Sequence, residues 1–379
     1  SRIFSIESLI HHTMRRQIIS IQSFTILLFA VLFTFSSCKK DKHPDESGEP
    51  DEFEEFYKGL KVHAFGQIQK DGDPLGSRPV HWFNGKINYL EGSENGGSVL
   101  DAFMLGQDIY VTGFEGAVGS DVTSRKPVYW VNGKKHILEQ NVFATGNMIY
   151  VSNSKDIYIK RTVYENNKVS STDILKNGKI WPLEIRNNKK PDIREFRGMN
   201  NDVYVLGHME NSTLWKNGKI HMEKKYPETM QNVIFHQNDT YLFLINLLNR
   251  NNKEPYITIH KNNKLYQSIA KTNDVNWVDV GNIRTFMEGS TTYVAVSFRN
   301  ESNAKIVVWK DGKKHLDLPA NEMMLDNLFV KNGHVFVSAY NSEDQEKSDK
   351  YWMDNKELIL DSDDAKEINI SKIIIEEAQ

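Results

Sequence analysis

The chain is poor in the residues that staple folds together or carry common chemistries. Its 379 residues include one cysteine, Cys38, so no internal disulfide framework exists. There is no glycine-rich phosphate loop, no Gly-x-Ser-x-Gly elbow and no His-Glu-x-x-His pair, which removes the sequence signatures of nucleotide hydrolases, serine esterases and zinc proteases. A formal charge of −3 supplies no basic footprint for nucleic acid. Helical periodicity is absent throughout, and the one long apolar run lies between Ile18 and Phe35. What remains, 39% hydrophobic and 26% charged residues, is the composition of a water-facing globular protein. Aromatic residues, at 11%, are abundant and suit strands.

The first residues read as an address. Met14-Arg15-Arg16-Gln17 followed by the apolar run has the layout of a secretory signal, and residues 1–13 then read as translation upstream of the natural start. A membrane-spanning anchor is the alternative. Phe35-Ser36-Ser37-Cys38 places small residues just before the lone thiol and resembles a bacterial lipoprotein signal over residues 14–37, with the aromatic Phe35 a departure from the usual pattern. That resemblance implies lipid on Cys38, attachment to the outer membrane, and a periplasmic or surface-exposed body. Residues 38–57 carry Lys39 and Lys40, then Asp45, Glu46, Glu49, Asp51, Glu52, Glu54 and Glu55, broken by Pro44 and Pro50. Such a stretch buries no core and is expected to be a tether.

The body, residues 58–379, is a repeat. Tyr129-Trp130-Val131-Asn132-Gly133-Lys134 recurs around Trp82, Leu175, Trp215, His260, Trp309 and Trp352, in steps of 48, 45, 40, 45, 49 and 43 residues. A period near 45 is that of propeller blades. Asn-Gly or Asp-Gly between alternating strands supplies the positive φ of a type I′ hairpin. A second signal pairs a turn with a strand at Asp108-Ile109-Tyr110, Asn147-Met148-Ile149-Tyr150, Asp202-Val203-Tyr204, Asp239-Thr240-Tyr241, Thr292-Tyr293 and Gly333-His334-Val335-Phe336. Each unit therefore holds four strands: inner A, turn, B, loop, C, Asn-Gly turn, D. The first unit has no A strand ahead of Val62, and Glu367–Ile375 is a spare A strand with no hairpin after it. The expectation is an all-β, seven-bladed propeller of four-stranded antiparallel blades, closed by the C-terminal strand. Six blades plus a degenerate unit is the alternative, because Leu175 and His260 stand where Trp is expected.

Val203-Tyr204-Val205-Leu206-Gly207 with Trp215-Lys216-Asn217-Gly218-Lys219 resembles the repeats of uncharacterised β-propeller lipoproteins common in Bacteroidota. The resemblance spans most of the body and implies fold and address, not activity.

Length variation collects in the B–C and D–A connections: 113–126, 152–171, 246–254, 298–304 and 340–350. Loops on a rigid scaffold carry binding residues, so the face bearing them is the expected functional face, with tolerated insertion the alternative. Counting eight residues back from each B strand gives a polar column, Asp101, Asn141, Glu195, Asn232, Arg284 and Asn327, with Asn369 as a seventh. Placed at the start of the inner strands, this column would ring the channel mouth and coordinate a cation or hold a sugar's hydroxyls; capping of loop backbone is the other account. The repeated tryptophans are expected to pack blade on blade, while Trp181 and Trp277 fall outside that register. Asp361-Ser362-Asp363-Asp364 is an acidic loop with the oxygen ligands for a structural Ca²⁺ but without a proper ligand cadence. No catalytic residue and no other metal or cofactor is expected. The function expected is a monomeric, membrane-anchored binding protein for a glycan, peptide or partner protein. The alternative is an extracellular polysaccharide hydrolase or lyase assembled from different blades.

Overall fold

A computed structural model describes residues 59–117, 124–199, 201–246, 256–269, 279–299, 304–319, 323–341, 349–358 and 360–377. Cys38, the signal and the tether lie outside the described residues, as do Trp277 and much of the loops at 113–126, 246–254, 298–304 and 340–350.

Seven four-stranded antiparallel sheets form, and in six of them the strands are consecutive in sequence. The seventh, blade 1, takes its A strand from the other end of the chain: Glu367–Glu377 pairs with Leu60–Gln69 from Gln69↔Glu367 to Leu60↔Glu377. Ring closure is therefore made by backbone hydrogen bonds between segments some 300 residues apart, and the propeller has seven blades, not six.

The core lies between blades rather than within them. Each hydrophobic cluster joins residues of two successive blades, as a sheet buried on both faces requires. Trp82, Trp130 and Trp215 are fully buried, and each indole N–H donates across a junction: to the carbonyls of Asp361 at 2.8 Å, Glu91 at 2.9 Å and Glu184 at 2.8 Å. The tryptophans are construction residues, as their spacing indicated. Trp181 makes an edge contact with Tyr158, ring centroids 5.2 Å apart.

The Asn-Gly turns do more than reverse the chain. In all seven blades the Asn or Asp that opens the C–D turn sits at positive φ, between 47° and 55°, and accepts a backbone N–H from its own B strand. In four of the blades the Asn amide also donates to the acid of the A–B turn, as Asn217 does to Asp202 at 2.6 Å and Asn177 to Asp156 at 2.7 Å. Lys216, just before Asn217, closes the set on Asp202 at 2.7 Å and lies over the Tyr204 ring.

Blade 3 corrects the sequence reading. Asn147–Val151 was expected to be a turn and B strand, but Ala144–Val151 is the A strand and Ile157–Glu165 the B strand. The true repeat signal is Asp156-Ile157-Tyr158, identified by the Asn177 side chain that binds both Ile157 N–H and Asp156. The expected long B–C loop at 152–171 is instead a hairpin of long strands turning at Asn166-Asn167, both at positive φ.

Candidate functional site

The inner strands share an irregularity that the sequence did not reveal. Every A–B ladder shifts register once, with the extra residue or residues on the A strand: Leu100, Asn147, Arg194, Gln231, Gly281 with Asn282, Asp326 and Ser371. A bulge bends its strand and re-aims neighbouring side chains. Beside these bulges the structure places one ring of residues, one from each blade: Lys372, Asp101, Met148, Glu195, Asn232, Arg284 and Asn327.

Five of the seven expected column residues are in that ring, and two are not. Asn141 lies exposed in the D–A connection ahead of Ala144, because the blade 3 strands were displaced in the reading; Met148 takes its level. Asn369 pairs with Gln67, further toward the start of its strand, and Lys372 takes its place opposite Phe65. The ring also lies deeper than a channel mouth. Asp101 and Asn327 are each the fifth of nine residues in their strands, so the ring sits midway along the inner wall. Counting back from the B strand could not register strand length beyond the ring.

Neighbouring blades are stitched together here. Lys372 of blade 1 pairs with Asp101 of blade 2 at 3.1 Å, and Asp101 also accepts the Ile149 N–H of blade 3 at 3.1 Å. Asn232 donates to the Thr285 hydroxyl of blade 6 at 2.6 Å, while its own buried carbonyl oxygen has no hydrogen-bond partner in the structure. Arg284 lies 3.7 Å from the Asp326 carboxylate of blade 7 and donates to the Asp326 carbonyl. Asn327 donates to Asp326 at 2.6 Å, to the Ser338 hydroxyl at 3.0 Å and to the Ser371 carbonyl at 3.2 Å. Glu195 pairs with Arg197 on its own strand.

Two carboxyls missed by the sequence reading belong to this region. Asp326, at the blade 7 bulge, is pushed up to about 6 chiefly by burial, with nearby Asp101 adding to the rise and Arg284 and Lys372 opposing it. Its side chain keeps 26% of its surface accessible, so it is partly shielded but not sealed from water. Asp349 is pushed up to about 7, first by burial and then by Asp326 and Glu367; the Ile370 N–H, at 2.6 Å, opposes the shift. Neither Asp fell in the counted column: one is the bulged residue itself, and the other stands just before a C strand. A bulge signature was the only clue available, and no single sequence displays one.

Among the described residues, no group of three or more His, Cys, Asp or Glu is arranged to hold a metal. In the acidic loop, Asp363 is taken by Lys70 at 2.8 Å and by the Tyr89 hydroxyl, and Asp361 accepts the Asp363 N–H at 3.0 Å. Those carboxylates are engaged with protein donors rather than converging on one point.

No family model matches the chain, and no curated protein matches it in sequence. Solved structures with similar folds include the propeller of Dos1, at 10% identity over 70% of this chain and 71% of that one, with a TM-score of 0.38. The β-propeller domain of Cps50 (Swd1) from Myceliophteria thermophila is 10% identical over 74% of this chain and 94% of its own, with a TM-score of 0.40. The β-propeller domain of the Trilobed protease from Pyrococcus furiosus is 11% identical over 71% and 97%, with a TM-score of 0.33. These are likenesses of scaffold; ligand and chemistry have to be argued from this chain's own residues.

Proposed function

We propose that this protein is a lipid-anchored binding protein of the cell envelope, holding a hydroxyl-rich ligand such as a glycan segment in its propeller channel without turning it over. The observation that supports this most is the inner ring, where Lys372, Arg284, Asn327 and Asn232 supply donors and Asp101, Glu195 and Asp326 acceptors at one level of the wall. Neutral and charged groups of both kinds, held by rigid strands, suit a ligand that both donates and accepts at each position. A glycan array probed with the wild-type protein and with Asn232→Ala, Asn327→Ala and Lys372→Ala tests the reading. Retention on a glycan class is expected, with about three- to tenfold weaker binding for each variant, the net worth of one hydrogen bond. No retention on any glycan, or variants that bind like wild type, would sink it.

The anchor rests on Phe35-Ser36-Ser37-Cys38 and the acidic tether after it. Labelled fatty acid should be incorporated by the expressed wild-type protein and lost in Cys38→Ser; equal labelling of the two would remove the address.

One observation favours a second reading, a polysaccharide hydrolase or lyase. Burial raises Asp349 to about 7 and Asp326 to about 6, so Asp349 keeps its proton into the neutral range, as a general acid must, and Asp326 keeps it in mild acid. Release of reducing ends from a polysaccharide panel, abolished by Asp326→Asn or Asp349→Asn, would establish it and overturn the non-catalytic proposal.

A further inference from the structure

Blade 3 lacks the tryptophan that five of the other six blades carry at this position (blade 5 has His260 there), and a cleft remains at its junction with blade 2. Trp130 clusters with Ile109, Val111 and Leu90; Trp215 with Val203, Val205 and Leu183; Trp82 with Val62, Ala64 and Leu360. The same four positions at the junction of blades 2 and 3 are Leu175, Ile157, Ile159 and Leu138, and these residues line a cavity of about 300 Å³. Tyr129, Ile137, Asn177 and Gly178 complete its wall, beside the tight turns and away from the loop-bearing face. This junction also has the smallest buried cluster among the described residues, four members against seven to fourteen at the other six. The hydrogen-bond acceptor is also laid out. In blades 1, 2 and 4 the indole N–H meets the backbone carbonyl of the residue seven places after the turn Asn or Asp of the preceding blade, namely Asp361, Glu91 and Glu184. The equivalent residue after Asn132 is Glu139, whose carboxylate is clamped by the buried Arg161.

We propose that this cleft is a second binding site, for a planar aromatic ring with an N–H donor, an indole supplied in trans where the sister blades supply one in cis. A preformed apolar cavity of roughly 150 Å³ suffices for benzene, so one of about 300 Å³ accommodates a bicyclic ring. The ring rests over the paired Leu175 and Ile159 side chains, which lie side by side on one sheet, against Tyr129, Leu138 and Ile157, and the Glu139 carbonyl, counterpart of the sister blades' acceptor, is its hydrogen-bond partner. Ile137, 46% exposed at the rim, marks the way in. This site is separate from the channel ring, and its test does not depend on the glycan proposal.

Calorimetric titration of the wild-type protein with indole, 1-methylindole and N-acetyltryptophanamide tests it. Indole is expected to saturate with a Kd of about 1 mM or tighter, the range open to a ligand of that size. Leu175→Trp fills the cavity as the sister blades do, so it should raise the Tm and abolish indole binding. If that variant fails to fold, Ile137→Glu at the exposed rim leaves the core intact and should weaken indole at least threefold. N-acetyltryptophanamide binding at least as tightly as indole indicates a chain-borne tryptophan as the natural occupant, and weaker binding a free indole compound; either outcome supports the site. Equal affinity for 1-methylindole overturns the role of Glu139. No saturation by indole, or undiminished binding in both folded variants, overturns the site.

Discussion

At the scale of single residues, the ring is a place where burial and charge compete. Asp326 and Asp349 keep their protons to about 6 and about 7 because the wall desolvates the carboxylate more than Arg284, Lys372 or the Ile370 N–H stabilises it. The unfolded chain releases these protons near 3.8. Between those values the folded protein holds more protons than the unfolded chain, so these groups make stability fall as pH rises from about 4 to about 7, and add no further change above. His81 pulls the other way. Burial and then His63 hold it down to about 3, so its contribution to stability grows as pH rises from about 3 to about 6.5. The difference between variant and wild type isolates the Asp term: relative to wild type, Asp349→Asn should gain Tm steadily from pH 4.5 to 7.5, because the amide can still accept the Ile370 N–H. A constant offset across that range would show that Asp349 titrates as an exposed acid does.

At the scale of the element, the turn Asn or Asp is the blade's joint. Asn217 holds a left-handed backbone at φ 49°, accepts the Val203 N–H at 2.9 Å and donates to Asp202 at 2.6 Å, so it ties the C–D turn, the B strand and the A–B turn together. Asn217→Ala removes both bonds and leaves a β-carbon in a disfavoured conformation. Denaturant unfolding should show a loss of about 1–3 kcal/mol. Lys216→Ala, which removes an exposed ion pair to the same acid, should cost under about 1 kcal/mol. Equal costs would mean that the charge, not the joint, holds the hairpin. The same joint explains why six blades were read in the right frame and one was not. In blade 3 the sequence offers two turn-and-strand candidates nine residues apart, Asn147-Met148-Ile149-Tyr150 and Asp156-Ile157-Tyr158-Ile159, and only the second presents an acid to Asn177.

At the scale of the whole molecule, closure converts seven weak units into one body. Each blade alone exposes two apolar faces, and each junction buries one face from either neighbour. The Glu367–Glu377 strand, paired along its length with Leu60–Gln69, leaves no blade without a four-stranded sheet. The fold class, the closure and the packing role of the tryptophans were determined by sequence alone, because each rests on a local pattern: strand alternation, a turn that demands positive φ, and a repeat near 45 residues; the sequence favoured seven blades over six, and the seven sheets decided it. Five members of the ring, Asp101, Glu195, Asn232, Arg284 and Asn327, were legible for the same reason. Tertiary structure alone decided the rest. The bulges that exchange Asn369 for Lys372 and set the ring midway down the wall depend on how each inner strand bends against its neighbours. Asp326 and Asp349 become unusual acids only through the atoms that surround them. The vacancy beside Leu175 exists only because two blades meet there, and a single substitution in a repeat gains its meaning from the sister blades' geometry.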